Sequence, residues 1–259
     1  MNRIAVFGGI YSNYLALAAA LDDARRRGAE AIYCLGDMGA FGPHPDRVFP
    51  LLQEHGVSCI QGNYDHSIGN GLADCQCGYT DPRDNYFARI SYAYTFANTS
   101  LPHRAWLRDL PAQRRVELGR YRLLLCHGSP RRTNEFLWES TTSSAFLHYL
   151  LAHHQADVVV ATHTGIKWHR PLNGHLHLVN VGVLGRPEND GRTNVWYGLL
   201  SAEPDLCVEF VNVAYDHERL AAEMRLEALP EEFVQTVLTG WWTTCLEVLP
   251  AKERRRGRC

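Results

Sequence analysis

At 259 residues the chain can form one large α/β domain, or one domain with an appendage. Hydrophobic residues make up 46% of it, ample for a core, and 26 Lys and Arg against 28 Asp and Glu leave a formal charge of −2. That balance gives no signal for nucleic acid or an anionic membrane surface. No apolar stretch is long enough to cross a bilayer, and Met1-Asn2-Arg3 leads straight into a strand-like run rather than a signal peptide, so a cytoplasmic location is expected.

In chain order, Ile4–Phe7 reads as a strand, followed by Gly8-Gly9 and a helix from about Tyr14 to Arg27. Ser12 or Asn13 can cap that helix and Gly28 can end it. Ala31–Leu35 is a second buried strand, and the loop Gly36 to Pro45 leads to a helix over Asp46–His55 and a strand over Val57–Gln61. This βαβαβ start predicts parallel strands with right-handed crossovers, and ligand sites in such sheets gather at the carboxyl ends of the strands. Asp81-Pro82-Arg83-Asp84 opens a helix to about Ala97, and Ser100 to Leu110 is another. Val116–Leu118 and Tyr121–Cys126 flank the turn Gly119-Arg120 as a hairpin. Thr141 or Thr142 caps a helix to His154, and Val158–Ala161 is an apolar strand. Strands follow at Leu176–Val181, Val195–Leu200 and Cys207–Val213. Asp216–Pro250 is expected to be helical with a break at Leu229-Pro230 and with Trp241-Trp242 anchoring its last helix or forming a partner contact. Residues 252–258 form a frayed basic tail. The division expected is a domain over residues 1–215 and a helical extension over 216–259.

The 8 cysteines suggest reduced thiols rather than a disulfide framework. Cys34, Cys59 and Cys126 lie in apolar runs and read as core residues; Cys75 and Cys77 lie in a polar loop and read as two loop thiols. His175-x-His177 alternates along one strand face, which fits packing better than ligation.

Four residues follow apolar, β-prone runs where a strand should give way to a loop. They are Asp37 in Leu35-Gly36-Asp37, Asn63 in Gln61-Gly62-Asn63-Tyr64-Asp65, His127 in Cys126-His127-Gly128-Ser129-Pro130, and His163 in Ala161-Thr162-His163-Thr164. One carboxylate, one amide oxygen and two imidazoles make a first shell for Mn, Fe or Zn. The order of these motifs resembles the calcineurin-like metallophosphoesterase family over about residues 1–200. Gly39-x-x-Gly42-Pro43 and Asn180-x-Gly182 match as well.

The resemblance implies a four-layer α/β/β/α sandwich and hydrolysis of phosphoesters, with two metals activating a water for in-line attack on phosphorus. It also shows what this chain lacks. The family's Asp-x-His is Gly9-Ile10-Tyr11 here, the histidine after Gly-Asn is Tyr64, and the last histidine is Gly165. In the family, the first aspartate, its histidine and that last histidine hold one metal. The other is held by residues matching Asp37, Asn63, His127 and His163. The losses are therefore sorted by site, which implies one divalent metal per chain.

Several further expectations follow. Tyr64 with Asp65 would protonate the leaving group, although a phenol near its reference pKa of about 10 is poorly matched to neutral pH. Backbone N–H groups of the Gly8-Gly9 turn, with Asn13 and Arg131, would hold the phosphate of a small phosphorylated substrate. Arg132 could add charge, and Asn134 to Trp138 could wall the pocket. Two readings compete with the hydrolase: a phospho-ligand-binding module of the same fold, and an iron enzyme of other chemistry using Tyr11 or the Cys75/Cys77 loop, with His66 near by.

Overall fold

Alternating side chains in the first strand go two ways. Ile4 and Val6 pack inward among Val116, Leu123, Val158, Val179 and Leu200. Ala5 and Phe7 point the other way, against Leu17, Leu21 and Tyr197. That period of two is what a strand covered on both faces requires. It runs through a computed structural model that describes residues 1–255.

The elements are β1 (Arg3–Phe7), α1 (Tyr14–Arg26), β2 (Ala31–Cys34), α2 (Val48–Glu54), β3 (Ser58–Cys59), α3 (Asn63–Gly69), α4 (Pro82–Asn98) and α5 (Leu101–Arg108). They continue as β4 (Gln113–Leu118), β5 (Tyr121–Cys126), α6 (Ser144–His153), β6 (Val158–Ala161), β7 (Lys167–Pro171), β8 (His177–Val181), β9 (Val195–Ser201), β10 (Cys207–Val213), α7 (His217–Leu226), α8 (Glu231–Thr239) and α9 (Ala251–Arg254). One sheet has the order β10-β9-β1-β2-β3 and the other β4-β5-β6-β8-β7. Strands β1, β2 and β3 run parallel, as do β5, β6 and β8. The two sheets pack face to face through the inward side chains. Leu147, Leu150 and Leu151 of α6 cover the outer face of the second sheet. This is the expected α/β/β/α sandwich.

Several local expectations need correction. The chain after Asn63 is not a loop but α3, because Asp65 accepts the N–H of Gly62 at the helix start. The end of the 216–250 region is not helical: α8 stops at Thr239, capped by Gly240 at φ +73°, and Trp241-Trp242 lie in the irregular segment beyond. Ser143, not Thr141 or Thr142, caps α6. Strand β7 was missed, since Lys167–Pro171 is a short edge strand ending in proline. His175 lies before β8 and faces Asp157 at 3.2 Å, so it does not share a strand face with His177. Residues 252–255 are not frayed. Ala251–Arg254 is helical, and the Glu253 carboxylate accepts from the Ser140 backbone N–H at 2.8 Å and from its hydroxyl. The rest of the basic tail lies outside the described residues. No helix among the described residues is long and apolar enough to cross a membrane.

One pair outside the site carries a pH consequence. His169 Nε2 of β7 is 3.0 Å from His177 Nδ1 of β8. Burial, with the His177 charge adding to it, pushes His169 down to about 4. The unfolded chain, with His169 near 6.5, then binds more protons than the folded one between these values, so stability is lost as pH falls through that window. The denaturant midpoint should fall between pH 7 and pH 5, and by less in His169→Gln than in the wild type. Equal falls would show that this pair does not drive the loss.

Candidate metal centre

The ligand-bearing loops all leave the carboxyl ends of parallel strands. Asp37 follows β2, Asn63 follows β3, His127 follows β5 and His163 follows β6. Because both sheets end at this edge, residues more than a hundred positions apart meet. His127 Nε2 is 3.2 Å from Asp37 Oδ2 and 3.2 Å from His163 Nδ1. One ligand atom from each of Asp37, His127 and His163 falls within 4.8 Å of the others, and all three residues are buried. Asn63 joins them through the cavity that it lines with Asp37 and His163.

Two glycines allow the loops to cross. A Cβ on Gly36 would stand 2.2 Å from the Gly62 nitrogen, and one on Gly62 would stand 2.3 Å from Asp37 Oδ1. Any larger residue would push apart the loops that carry Asp37 and Asn63. Asp37 and His163 themselves sit in the left-handed region, at φ +56° and +68°. Backbone held there costs about 1–3 kcal/mol and persists where the surroundings enforce it.

The surrounding hydrogen bonds aim the donors. His127 Nδ1 donates to the Leu35 carbonyl at 2.6 Å, which leaves Nε2 as the ring nitrogen turned to Asp37 and His163. Asn63 Nδ2 donates to the Cys75 carbonyl at 2.7 Å, and the buried Oδ1 has no partner. Asp37 Oδ1 accepts the Tyr64 N–H at 3.1 Å, so Oδ2 is the oxygen turned to His127. Asn180 Nδ2 donates to the Thr162 carbonyl at 2.9 Å and its Oδ1 accepts from Gly182, which fixes the loop just before His163. Burial alone would raise the Asp37 carboxyl, but the His127 charge and hydrogen bond hold it below its usual range. Burial, with the His127 charge beside it, pushes His163 down to about 3 and keeps it a neutral imidazole, the form a metal takes. A divalent metal fits this donor set: a carboxylate and two imidazoles whose ligand atoms converge, with an orphaned amide oxygen in the same cavity.

The other expected residues are placed differently. Asp65 does not point into the cavity. Its Oδ2 accepts from the Asp37 and Gly62 amides at 2.6 and 2.8 Å, and its Oδ1 from Met38 at 3.0 Å. Burial, then the Asp37 charge, pushes this carboxyl up to about 7. Tyr64 lines the cavity, but its hydroxyl donates to Ser91 Oγ at 3.1 Å, and burial raises the phenol further from neutral pH.

Asn13 is wholly buried. Its Oδ1 caps α1 through Ala16 N–H and its Nδ2 donates to the Gly185 carbonyl at 3.0 Å, so it does not face a substrate. Arg131 pairs with Glu135 at the surface, 42% of its side chain exposed, and lies outside the cavity lining. The amides of Ile10, Tyr11 and Ser12, which follow Gly8-Gly9, donate to the carbonyls of Asp37 and Met38 and so are not available to an anion. His66 turns to Gln61, away from the cavity. Cys75 and Cys77 are buried and bonded to each other, not two loop thiols. From the Asn134 to Trp138 loop, Phe136 packs on His163 with ring centroids 4.3 Å apart.

Where the missing metal ligands would be, other groups stand. The Tyr11 ring folds over Gly9, and a Cβ there would meet its Cε1 at 2.6 Å. A Cβ on Gly165, at φ +77°, would meet the Trp242 ring at 2.7 Å and Arg186 Nη2 at 3.2 Å. Arg186 carried no motif and was not singled out by sequence reasoning, and Trp242 was read as a helix anchor or partner contact rather than as part of the site. The only local sign was a cation, Gly185-Arg186-Pro187, directly after the Asn180-x-Gly182 strand end.

The comparisons agree with this fold. Residues 3–203 match the calcineurin-like phosphoesterase superfamily domain, and the chain belongs to that family. It is 24% identical over 255 residues to the uncharacterized protein MJ0912 of Methanocaldococcus jannaschii, an alignment covering 92% of this chain and 98% of that one. It superposes on the hypothetical protein PH1004 from Pyrococcus horikoshii OT3 with a TM-score of 0.76 at 22% identity, covering 94% of this chain and 100% of that one. For a metallophosphoesterase from Sphaerobacter thermophilus the TM-score is 0.70 at 23% identity, with 92% and 99% covered. At these identities the likeness of the structures concerns the fold.

Proposed function

We propose that the chain is a metal-dependent phosphoester hydrolase, acting in the cytoplasm on a small phosphorylated substrate, with a reduced site for one divalent transition metal (Mn, Fe or Zn). Asp37, Asn63, His127 and His163 would hold it. The observation that carries this reading is the contrast between the two halves of the site. One half gathers three converging ligand atoms, from Asp37, His127 and His163, beside an unsatisfied Asn63 Oδ1 in the same cavity, whereas Gly9 and Gly165 are roofed by the Tyr11 ring and by Arg186 with Trp242. When bound, the metal supplies a Lewis acid and a water of lowered pKa. The chain's own groups orient it. Asp65 fixes the Asp37 loop, Leu35 sets the His127 tautomer, and the cavity of about 40 Å³ admits little more than about three waters or one phosphoryl group. The rest of a substrate would stay outside.

A second reading, a phospho-ligand-binding module, is favoured by one observation: no acid is aimed at a leaving group, since Tyr64 donates to Ser91 and Asp65 is held by amides. The test is elemental metal content of protein purified without chelators or affinity nickel, followed by turnover of an aryl phosphodiester. About one metal per chain with turnover that Asp37→Ala abolishes supports the hydrolase. Metal without turnover leaves the binding module. Two metals would mean that the roofed half has been rebuilt, and an absorption band from phenolate to iron would point to Tyr11 as a ligand.

A further inference from the structure

The guanidinium of Arg186 is a feature of the cavity that neither the metal nor the fold explains. The residue is 6% exposed, and its Nε has no hydrogen-bond partner. Its ring-face contacts are satisfied: the guanidinium carbon lies 3.6 Å from the Trp242 ring centroid and 5.6 and 5.9 Å from those of Phe41 and Tyr11. Stacking engages only the flat faces of a guanidinium. Its N–H donors lie in the plane and need acceptors at the edge. Among the described residues no carboxylate pairs with it, in contrast to Arg122, whose Nη2 reaches Asp157 at 2.8 Å. A buried guanidinium with an orphaned Nε and no carboxylate beside it is costly, and an anion at its edge would offset that cost.

The position says where that anion would sit. Arg186 lines the same cavity as Asp37, Asn63 and His163. Its Nη2 lies against Gly165, the position at which the family's second metal takes a histidine. The backbone that carries it is locked in place, since Gly185 donates to the Gly9 carbonyl at 2.8 Å and accepts from Asn13. A fixed fork of donors with a permanent positive charge therefore stands on the side of the site that has no metal ligands.

We propose that Arg186 is a phosphoryl-binding residue, taking with its guanidinium edge the oxygens that a second metal would otherwise hold. This rests on the hydrolase reading above, and it commits the site to an anionic phosphoryl group placed between one cation and one arginine. Bidentate binding of two phosphoryl oxygens is the geometry that arginine offers and lysine does not. Trp242 holds the guanidinium flat and, together with Thr244 and Cys245, brings the segment after α8 into the cavity wall.

The probe is inorganic phosphate, titrated calorimetrically into the full-length metal-loaded protein with metal content measured on each sample. Arg186→Gln should keep the wild-type metal content and bind phosphate about 10- to 100-fold more weakly, the loss of a charged hydrogen-bond donor. Arg186→Lys should fall between the two. Wild-type affinity in Arg186→Gln overturns the proposal, as does a metal-loaded wild type that binds no phosphate at millimolar concentration. Thermal melting separates a structural role. Phosphate should raise the melting temperature of the wild type and not that of Arg186→Met, whose phosphate-free melting temperature should equal or exceed the wild type's because an unpaired buried charge is gone. A phosphate-free Arg186→Met that melts well below the wild type, and still responds to phosphate, makes Arg186 a structural prop. If phosphate binding depends on Arg186 and metal while no ester is hydrolysed, the phosphoryl site stands and the hydrolase reading falls.

Discussion

His127→Asn should fold with near wild-type stability and lose its metal. The asparagine amide nitrogen falls close to the place of Nδ1 and can keep the 2.6 Å bond to the Leu35 carbonyl, so the strand end after β5 stays anchored. Nothing then stands where Nε2 did, 3.2 Å from both Asp37 Oδ2 and His163 Nδ1. Losing a residue that merely orients a ligand lowers metal affinity about 10- to 100-fold, and losing the ligand itself should cost at least the upper end of that range. Metal content should drop from about one per chain to a small fraction, and turnover of an aryl phosphodiester should drop with it. The partner variant is His127→Gln, whose longer amide can approach the place of Nε2 but leaves the Leu35 carbonyl without its donor. It should retain part of the metal and melt lower, as an unsatisfied buried acceptor costs about 1–3 kcal/mol. Elemental analysis and thermal melting on both variants read the two roles apart. A His127→Asn protein with full metal content would remove His127 from the ligand set.

How much of this was legible in the sequence depends on the range over which each residue acts. The strands were readable because runs such as Val158–Ala161 are apolar throughout and end in a polar residue, and that same junction marks His163. The split between present and absent ligands was readable because it is carried by residue identity at motif positions. Roles set by distant partners were not. Asp65 looks like an acid beside a tyrosine in its own segment, yet its partners are the amides of Asp37 and Met38, 28 and 27 positions earlier. Asn13 was expected both as a helix cap and as a phosphate ligand, and the local role used up its side chain. Arg131 found an acid four residues on, at Glu135. Arg186 gains its meaning only from Trp242, which arrives from beyond α8, so no window of sequence around either residue signals the pair.

The largest loss of stability is expected from Asp65. Its carboxylate is fully buried and gathers three backbone N–H groups from two loops, those of Asp37 and Met38 on one side and Gly62 on the other. No other described side chain joins these donors, and each amide left unsatisfied costs about 1–3 kcal/mol. Asp65→Ala should therefore destabilise the protein by about 3–5 kcal/mol, with some amides recovering water in the space left behind. Asp65→Asn keeps the shape and one accepting oxygen, but turns an N–H₂ toward a donor, so it should lose a smaller part of this. Metal affinity should follow stability, because the amide at Asp37 is one that Asp65 fixes, and the Asp37 loop also carries the ligand. The same geometry opposes a role as proton donor to a leaving group. A general acid replaced by asparagine would leave a protein that melts normally, carries its full metal and turns over slowly, with the acidic limb of its pH profile changed. A clamp replaced by asparagine should melt lower and bind metal less tightly. Denaturant melts and metal titrations of Asp65→Asn decide between them, and an unchanged midpoint with full metal content would return Asp65 to the chemistry.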